Sequence, residues 1–317
     1  MATTRTPAAV DVAPECPASG SRLVERPWRA FLLVLLLNGA AFALVGVVLH
    51  RLLGLPQDLG NIEALPTAAH FTISGVIGYL LVPFLLRLPQ GARSFRAYLE
   101  DIRITTVRPV LPLLCLTASC VLILIACQGA GSIVYRLAEG NPVTLGFLGQ
   151  VFNLGAALPP HSMLLFAQLF SSLEEVLFRG VLLTMLVRAY GARRAIAYSA
   201  AAFGLMHLPS VFAGTPVVTA LAQVVWAFLF GLAYGYIFIM SGSLLPCMVL
   251  HWLSNVFQEP LTAYWTSAPV AVRAFYGVVF GYGLAALLII LWVRYVAARW
   301  LRRVGPENQP AQGQVTA

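Results

Sequence analysis

The chain of 317 residues is 59% apolar and only 10% charged, with a mean hydropathy of +0.83. Soluble domains carry about a quarter charged residues, so these values, with apolar runs of membrane-spanning length, exclude a soluble globular protein and indicate a polytopic helical bundle. The net charge of +8 rests on arginine, since the chain has no lysine, and no basic run is interleaved with aromatic residues; it reads as a membrane-topology signal, and nucleic acid is not an expected partner.

Residues 1–27 are rich in Pro, Ala, Thr and Ser and are expected to form a disordered cytoplasmic tail. Eight membrane helices are expected, at Trp28–His50, Ala69–Leu88, Pro109–Gly131, His161–Arg188, Ala195–Leu208, Val217–Met240, Leu245–Phe257 and Ala271–Arg294. The first is too long for a signal-peptide core and lacks a clear cleavage site, so it reads as retained. The fifth and seventh are short for spanning helices. No segment alternates apolar and polar residues as a membrane barrel does. The fold class is therefore all-α: a membrane domain over 28–303 with a buried polar site, followed by a flexible tail at 304–317. The loop Arg87–Arg108, with "RSFRAYLEDIR", mixes Arg with Phe, Tyr and Leu and reads as an amphipathic stretch at the membrane surface.

With the N-terminus inside, sixteen arginines flank the inner ends of the helices and only Arg51, Arg136 and Arg273 fall outside. That asymmetry requires an even number of crossings and places both termini in the cytoplasm. The all-arginine, alanine-rich composition suggests a bacterial plasma membrane. Five cysteines form no CxxC pair, which argues against disulfides and cysteine-ligated zinc.

The segment "SSLEEVLFRGVLL", Ser171–Leu183, sets Glu174, Glu175 and Arg179 in an apolar run. Each charge at mid-bilayer costs roughly 2.5–3.5 kcal/mol on an insertion scale, so such residues face the bundle interior and pair. Glu175 and Arg179 are four apart with the acid first, the favourable order for an ion pair. Glu174 lies about 100° around the helix from Glu175 and is left without that partner, which suits a general acid or base. "FGLMH" puts Phe203 and His207 four apart on the fifth helix, and "HWLSN" does the same for His251 and Asn255 on the seventh. His50 and His161 read as interfacial, and His70 has no partner motif. A carboxyl and an imidazole can deprotonate water; a second imidazole and an amide N–H can hold an oxyanion. Glu174, His207 and His251, with Asn255 as a further donor, could instead bind a divalent metal such as zinc. There is no HExxH and no GxSxG.

In this order the three motifs, "EEVLFR", "FGLMH" and "HWLSN", resemble the CPBP family, which comprises the type II CAAX prenyl endopeptidases and the Abi bacteriocin-processing or bacteriocin-immunity relatives. Its pattern of EExxxR, FxxxH and HxxxN or HxxxD on separate membrane helices is met without a departure within Ser171–Gln258. The resemblance implies an intramembrane endopeptidase in which Glu174 and His207 activate water and His251 and Asn255 form the oxyanion hole. Glu175, Arg179 and Phe203 would support the site. It leaves open a glutamate-type mechanism, which needs no cofactor and is preferred here, against a metalloprotease. The implied partners are the lipid bilayer and a membrane-tethered or lipid-modified substrate: a CAAX tail, a leader peptide or a C-terminal sorting tail. Two other readings fit the buried charges: a proton-coupled transporter and a non-catalytic immunity protein.

Overall fold

The computed structural model describes residues 23–56, 64–154, 168–213, 215–266 and 268–302. Most of the tail expected at 1–27, all of that at 304–317, and His161 lie outside the described residues. The rest is helical: α1 Pro27–Leu52, α2 Leu65–Leu85, α3 Phe95–Asp101, α4 Val110–Ala138, α5 Leu145–Val151, α6 at 169–190, α7 Ala192–Leu205, α8 Val217–Ser241, α9 Leu245–Thr266 and α10 Val270–Leu301. All eight expected helices are present, and α3 and α5 are two short additions. Among the described residues, six helices are long and apolar enough to cross a membrane. Here α7 counts with the 3₁₀ turn Leu208–Ala213 that follows it. Among the described residues α6 and α9, which carry most of the polar motifs, do not meet this measure, so the expected count of eight crossings is met for six.

α6 is the centre of the bundle. Every residue from Glu175 to Leu186 is buried, and its Val176, Leu177, Phe178 and Leu182 sit in the main apolar core with Phe203 of α7 and Phe230 of α8. The outer helices turn leucines outward instead; on α1, Leu32, Leu36, Leu44 and Leu52 are all exposed. An apolar exterior over a core that holds charge is the arrangement of a protein dissolved in lipid.

Two glycines set the path that builds the site. Gly191 alone separates α6 from α7, with φ 76° and ψ 160°, a conformation essentially confined to glycine. The reversal lays α7 back along α6. Gly242, at φ 66°, caps α8 in the left-handed conformation, and α9 begins three residues later.

α7 and α8 then pack through small residues. A Cβ on Gly231 would lie 2.8 Å from the Ala200 Cα, and one on Gly204 would lie 2.7 Å from the Val224 carbonyl oxygen. Close backbone approach of this kind is a main source of helix association in lipid, where burial of apolar surface supplies little. α3 has one charged, exposed face and one buried face. Arg96 and Glu100 form an exposed ion pair at 3.1 Å, while Tyr98 and Ile102 are fully buried. Its far end is tied to the α8–α9 turn by Leu244 N–H to the Arg103 carbonyl at 3.1 Å and by Ser243 Oγ to the Thr106 carbonyl at 2.6 Å.

His70 has a partner after all. Its Nδ1 meets His50 Nε2 at 3.1 Å, and its Nε2 donates to the Phe42 carbonyl at 2.9 Å. The contact runs between α1 and α2, so no motif along one helix could announce it. With His50 Nδ1 bonded to the Leu55 carbonyl at 3.1 Å, the two rings pin the ends of these helices together.

Candidate active site

Three helices bring the sequence-predicted residues to one place. On α6, Glu174 and Glu175 face different ways, as their 3.6-residue phase requires. Glu174 is partly buried and lines a cavity of about 370 Å³; Glu175 is fully buried behind it. From Val176 to Leu183 the helix widens to π geometry, a departure that recurs at functional sites.

Glu175 pairs with Arg179 as its spacing implied, Oε1 to Nη1 at 3.0 Å with both side chains wholly buried. The same oxygen accepts a bond from His251 Nδ1 at 2.8 Å. This second bond joins α6 to α9 across 76 residues of sequence and was not legible in either motif. Arg179 also stacks over two rings, its Cζ 4.5 Å from the Phe203 centroid and 5.2 Å from that of Tyr234. Cation–π contacts of this kind strengthen when desolvated.

Phe203 is the hub. Its ring meets His207 edge-on at 5.2 Å and His251 edge-on at 5.8 Å, while Arg179 covers its face. His207 lies just past the end of α7, in the turn that follows it rather than in the helix as expected. Its Nδ1 bonds the Phe203 carbonyl at 2.9 Å. A carbonyl only accepts, so Nδ1 carries the proton and Nε2 is left as the basic nitrogen. For His251 the same logic holds against the Glu175 carboxylate: Nδ1–H donates, and Nε2 is the remaining nitrogen.

Asn255 lies one turn beyond His251, and its Nδ2 donates to Gln168 Oε1 at 3.2 Å. The cavity is lined by Glu174, His207, His251 and Asn255 together with an aromatic wall that includes Phe71, Phe170, Trp226, Phe230 and Tyr282. Tyr282 donates to Gln258 Oε1 at 2.6 Å. Sequence reasoning passed over Gln168, Gln258 and Tyr234. A signal existed for Gln258: His251, Ser254, Asn255 and Gln258 stand at i, i+3, i+4 and i+7, a polar stripe on one helix face.

Among the described residues, no three His, Cys, Asp or Glu side chains are grouped so as to hold a metal ion.

The architecture is that of an integral membrane protein, an all-helical bundle with a polar cavity enclosed by its central helices. Residues 157–257, just under a third of the chain and including all three motifs, match the family described as type II CAAX prenyl endopeptidase, Rce1-like, the peptidase family the motifs resemble. No curated protein and no solved structure matches the chain.

Proposed function

We propose that this chain is an intramembrane endopeptidase that hydrolyses a peptide bond in a membrane-tethered or lipid-modified protein, using water activated by Glu174 and His207. The observation that carries the reading is the convergence of Glu174, His207, His251 and Asn255, from three helices, on one cavity inside an apolar bundle. Charges so costly to bury are retained where they do chemistry.

In this reading Glu174 takes a proton from water, assisted by the basic Nε2 of His207, and the oxygen attacks the peptide carbonyl carbon. The carbonyl oxygen becomes an oxyanion facing His251 and Asn255, whose donors bind it more tightly than they bind the ground-state carbonyl. The C–N bond then breaks, and the proton held at Glu174 passes to the leaving amine. Glu175 and Arg179 act through His251. To donate from Nε2 while Nδ1–H is bonded to the carboxylate, His251 must be an imidazolium, and Glu175 is the counter-charge that stabilises it. Arg179 Nη1, 3.0 Å from the same oxygen, holds the Glu175 carboxyl in place.

The arginine distribution supports cytoplasmic termini, and the composition supports a bacterial plasma membrane. CAAX tails, leader peptides and sorting tails all meet the requirement that the scissile bond reach a site within the bilayer.

The test is Glu174→Gln, assayed on a membrane-tethered peptide with the purified protein in detergent. Removing the general base is expected to lower kcat by about 10²–10⁴-fold; retained activity would refute the assignment. EDTA is expected to leave the wild-type rate unchanged. Loss with EDTA that zinc restores would replace the glutamate mechanism with a metal-assisted one.

A further inference from the structure

An asparagine side chain ends in two groups of the same size and opposite polarity. Only the Nδ2 end of Asn255 can stabilise an oxyanion; rotated by half a turn, the amide would present Oδ1 and repel it. Something must choose between the two. Among the contacts of Asn255, the bond from Nδ2 to Gln168 Oε1, at 3.2 Å, discriminates between them. It uses one N–H of Nδ2 and leaves the second without a partner among the described residues. With Gln168 presenting Oε1, turning Asn255 alone would set Oδ1 against it, two acceptors with no proton between them, so the Asn255 amide can reverse only if the Gln168 amide turns with it.

We infer that Gln168 is the positioning residue of the oxyanion-binding amide, fixing which end of Asn255 faces the cavity. The inference rests on the proteolytic reading above. The location of Gln168 supports the role. It stands at the start of α6, and its main-chain carbonyl accepts from Ser171 N–H at 3.1 Å and from Ser171 Oγ at 2.5 Å. Ser171 and Glu174 line the cavity from the same helix. One rigid element thus carries the carboxyl that handles water and, less than two turns before it, the acceptor that orients an oxyanion donor on α9. Attack on the carbonyl carbon and charge development on its oxygen are referred to a common frame, which is what preorganised stabilisation needs.

A plain tie between α6 and α9 would also use this bond, so the test must separate orientation from stability. Gln168→Met keeps the length of the side chain and removes the acceptor. It is expected to lower kcat by about tenfold, part of the 10²–10³ that a whole oxyanion donor supplies, with KM and Tm unchanged. Gln168→Glu, which can only accept while ionised, is expected to recover kcat to within about threefold of wild type. In an Asn255→Ala background, Gln168→Met is expected to cost nothing further, because the group it positions is gone. Wild-type kcat in Gln168→Met overturns the inference. So does a fall in kcat and Tm together that Gln168→Glu fails to reverse. The two levels are distinguishable: active Glu174→Gln removes the proteolytic reading and the inference with it, whereas inactive Glu174→Gln beside fully active Gln168→Met removes the inference alone.

Discussion

Glu175 Oε1 accepts from both Arg179 and His251, while Oε2 is buried without a partner among the described residues. The carboxylate is shared between a fixed cation and an imidazole, and its balance depends on both. Arg179→Leu removes the fixed cation and leaves a buried carboxylate. The expected cost is about 3–5 kcal/mol, as for other broken buried pairs, read as a shift of the denaturant midpoint in detergent. Activity is expected to fall as well, because Glu175 Oε1, which also holds His251 Nδ1, loses the guanidinium that fixes its position. The Glu175–Arg179 pair was legible in the sequence because it is local: four residues, one face, acid first. The Glu175–His251 bond was not, because its partners are neighbours only after two helices pack. The same distinction separates Asn255, visible as half of a motif, from Gln168, which becomes meaningful only when α6 lies beside α9.

At the level of helices, the sequence located apolar runs well and their ends less well. The seventh was expected to end at Phe257, and Pro260, which lacks the N–H that continues a helix, follows three residues later. In fact α9 runs on to Thr266. On either side of Pro260, Thr262 Oγ1 bonds the Gln258 carbonyl at 2.7 Å and Ser132 Oγ of α4 bonds the Leu261 carbonyl at 2.5 Å, the latter tying α9 to α4. Membrane helices tolerate proline on these terms. The extension carries the polar stripe past Asn255 to Gln258, and so to Tyr282 of α10. The α7–α8 contact makes a sharper demand. Gly231 leaves no room for a Cβ against Ala200, and the Arg179 Nη2 lies 3.3 Å from the same point. Gly231→Val should therefore separate the two helices and disturb the buried cation, at a cost of about 1–3 kcal/mol or more, as for other overpacked sites. Thermal unfolding in detergent measures it. Gly39, whose Cβ position meets nothing within 4 Å, supplies the control: Gly39→Ala is expected to leave stability unchanged or slightly raised.

For the molecule as a whole, the two long helices left out of the spanning set, α6 and α9, carry two of the three motifs. α6 holds two glutamates and two arginines, and α9 holds the polar stripe of its His251 face. Each is sheltered by neighbours that do meet the mark. A criterion that limits charge in a span therefore sets α6 aside even though it is the most buried helix. Composition revealed the bundle but not its centre, since an apolar residue facing lipid and one facing the core look alike in sequence. If α6 and α9 cross the membrane together with the other six, the crossings are even and both termini face one side. Reporter fusions at residues 1 and 317 are expected to give the same, cytoplasmic, location; opposite locations would mean that one of the two helices does not cross.

The one-residue turn at Gly191 ties helical phase to function. Because α7 begins directly after α6, its rotation about its own axis is set by the count of residues from Glu174 to His207, with no slack in between. A single alanine inserted after Gly191 would turn α7 by about 100°, carrying His207 and Phe203 off the cavity while leaving every side chain of the motif in the sequence. Such a variant is expected to insert in the membrane and to be inactive against the tethered peptide. The same insertion in the loop before α8, beyond His207, is expected to be tolerated. Spacing between motifs, and not only within them, would then be part of what specifies the enzyme.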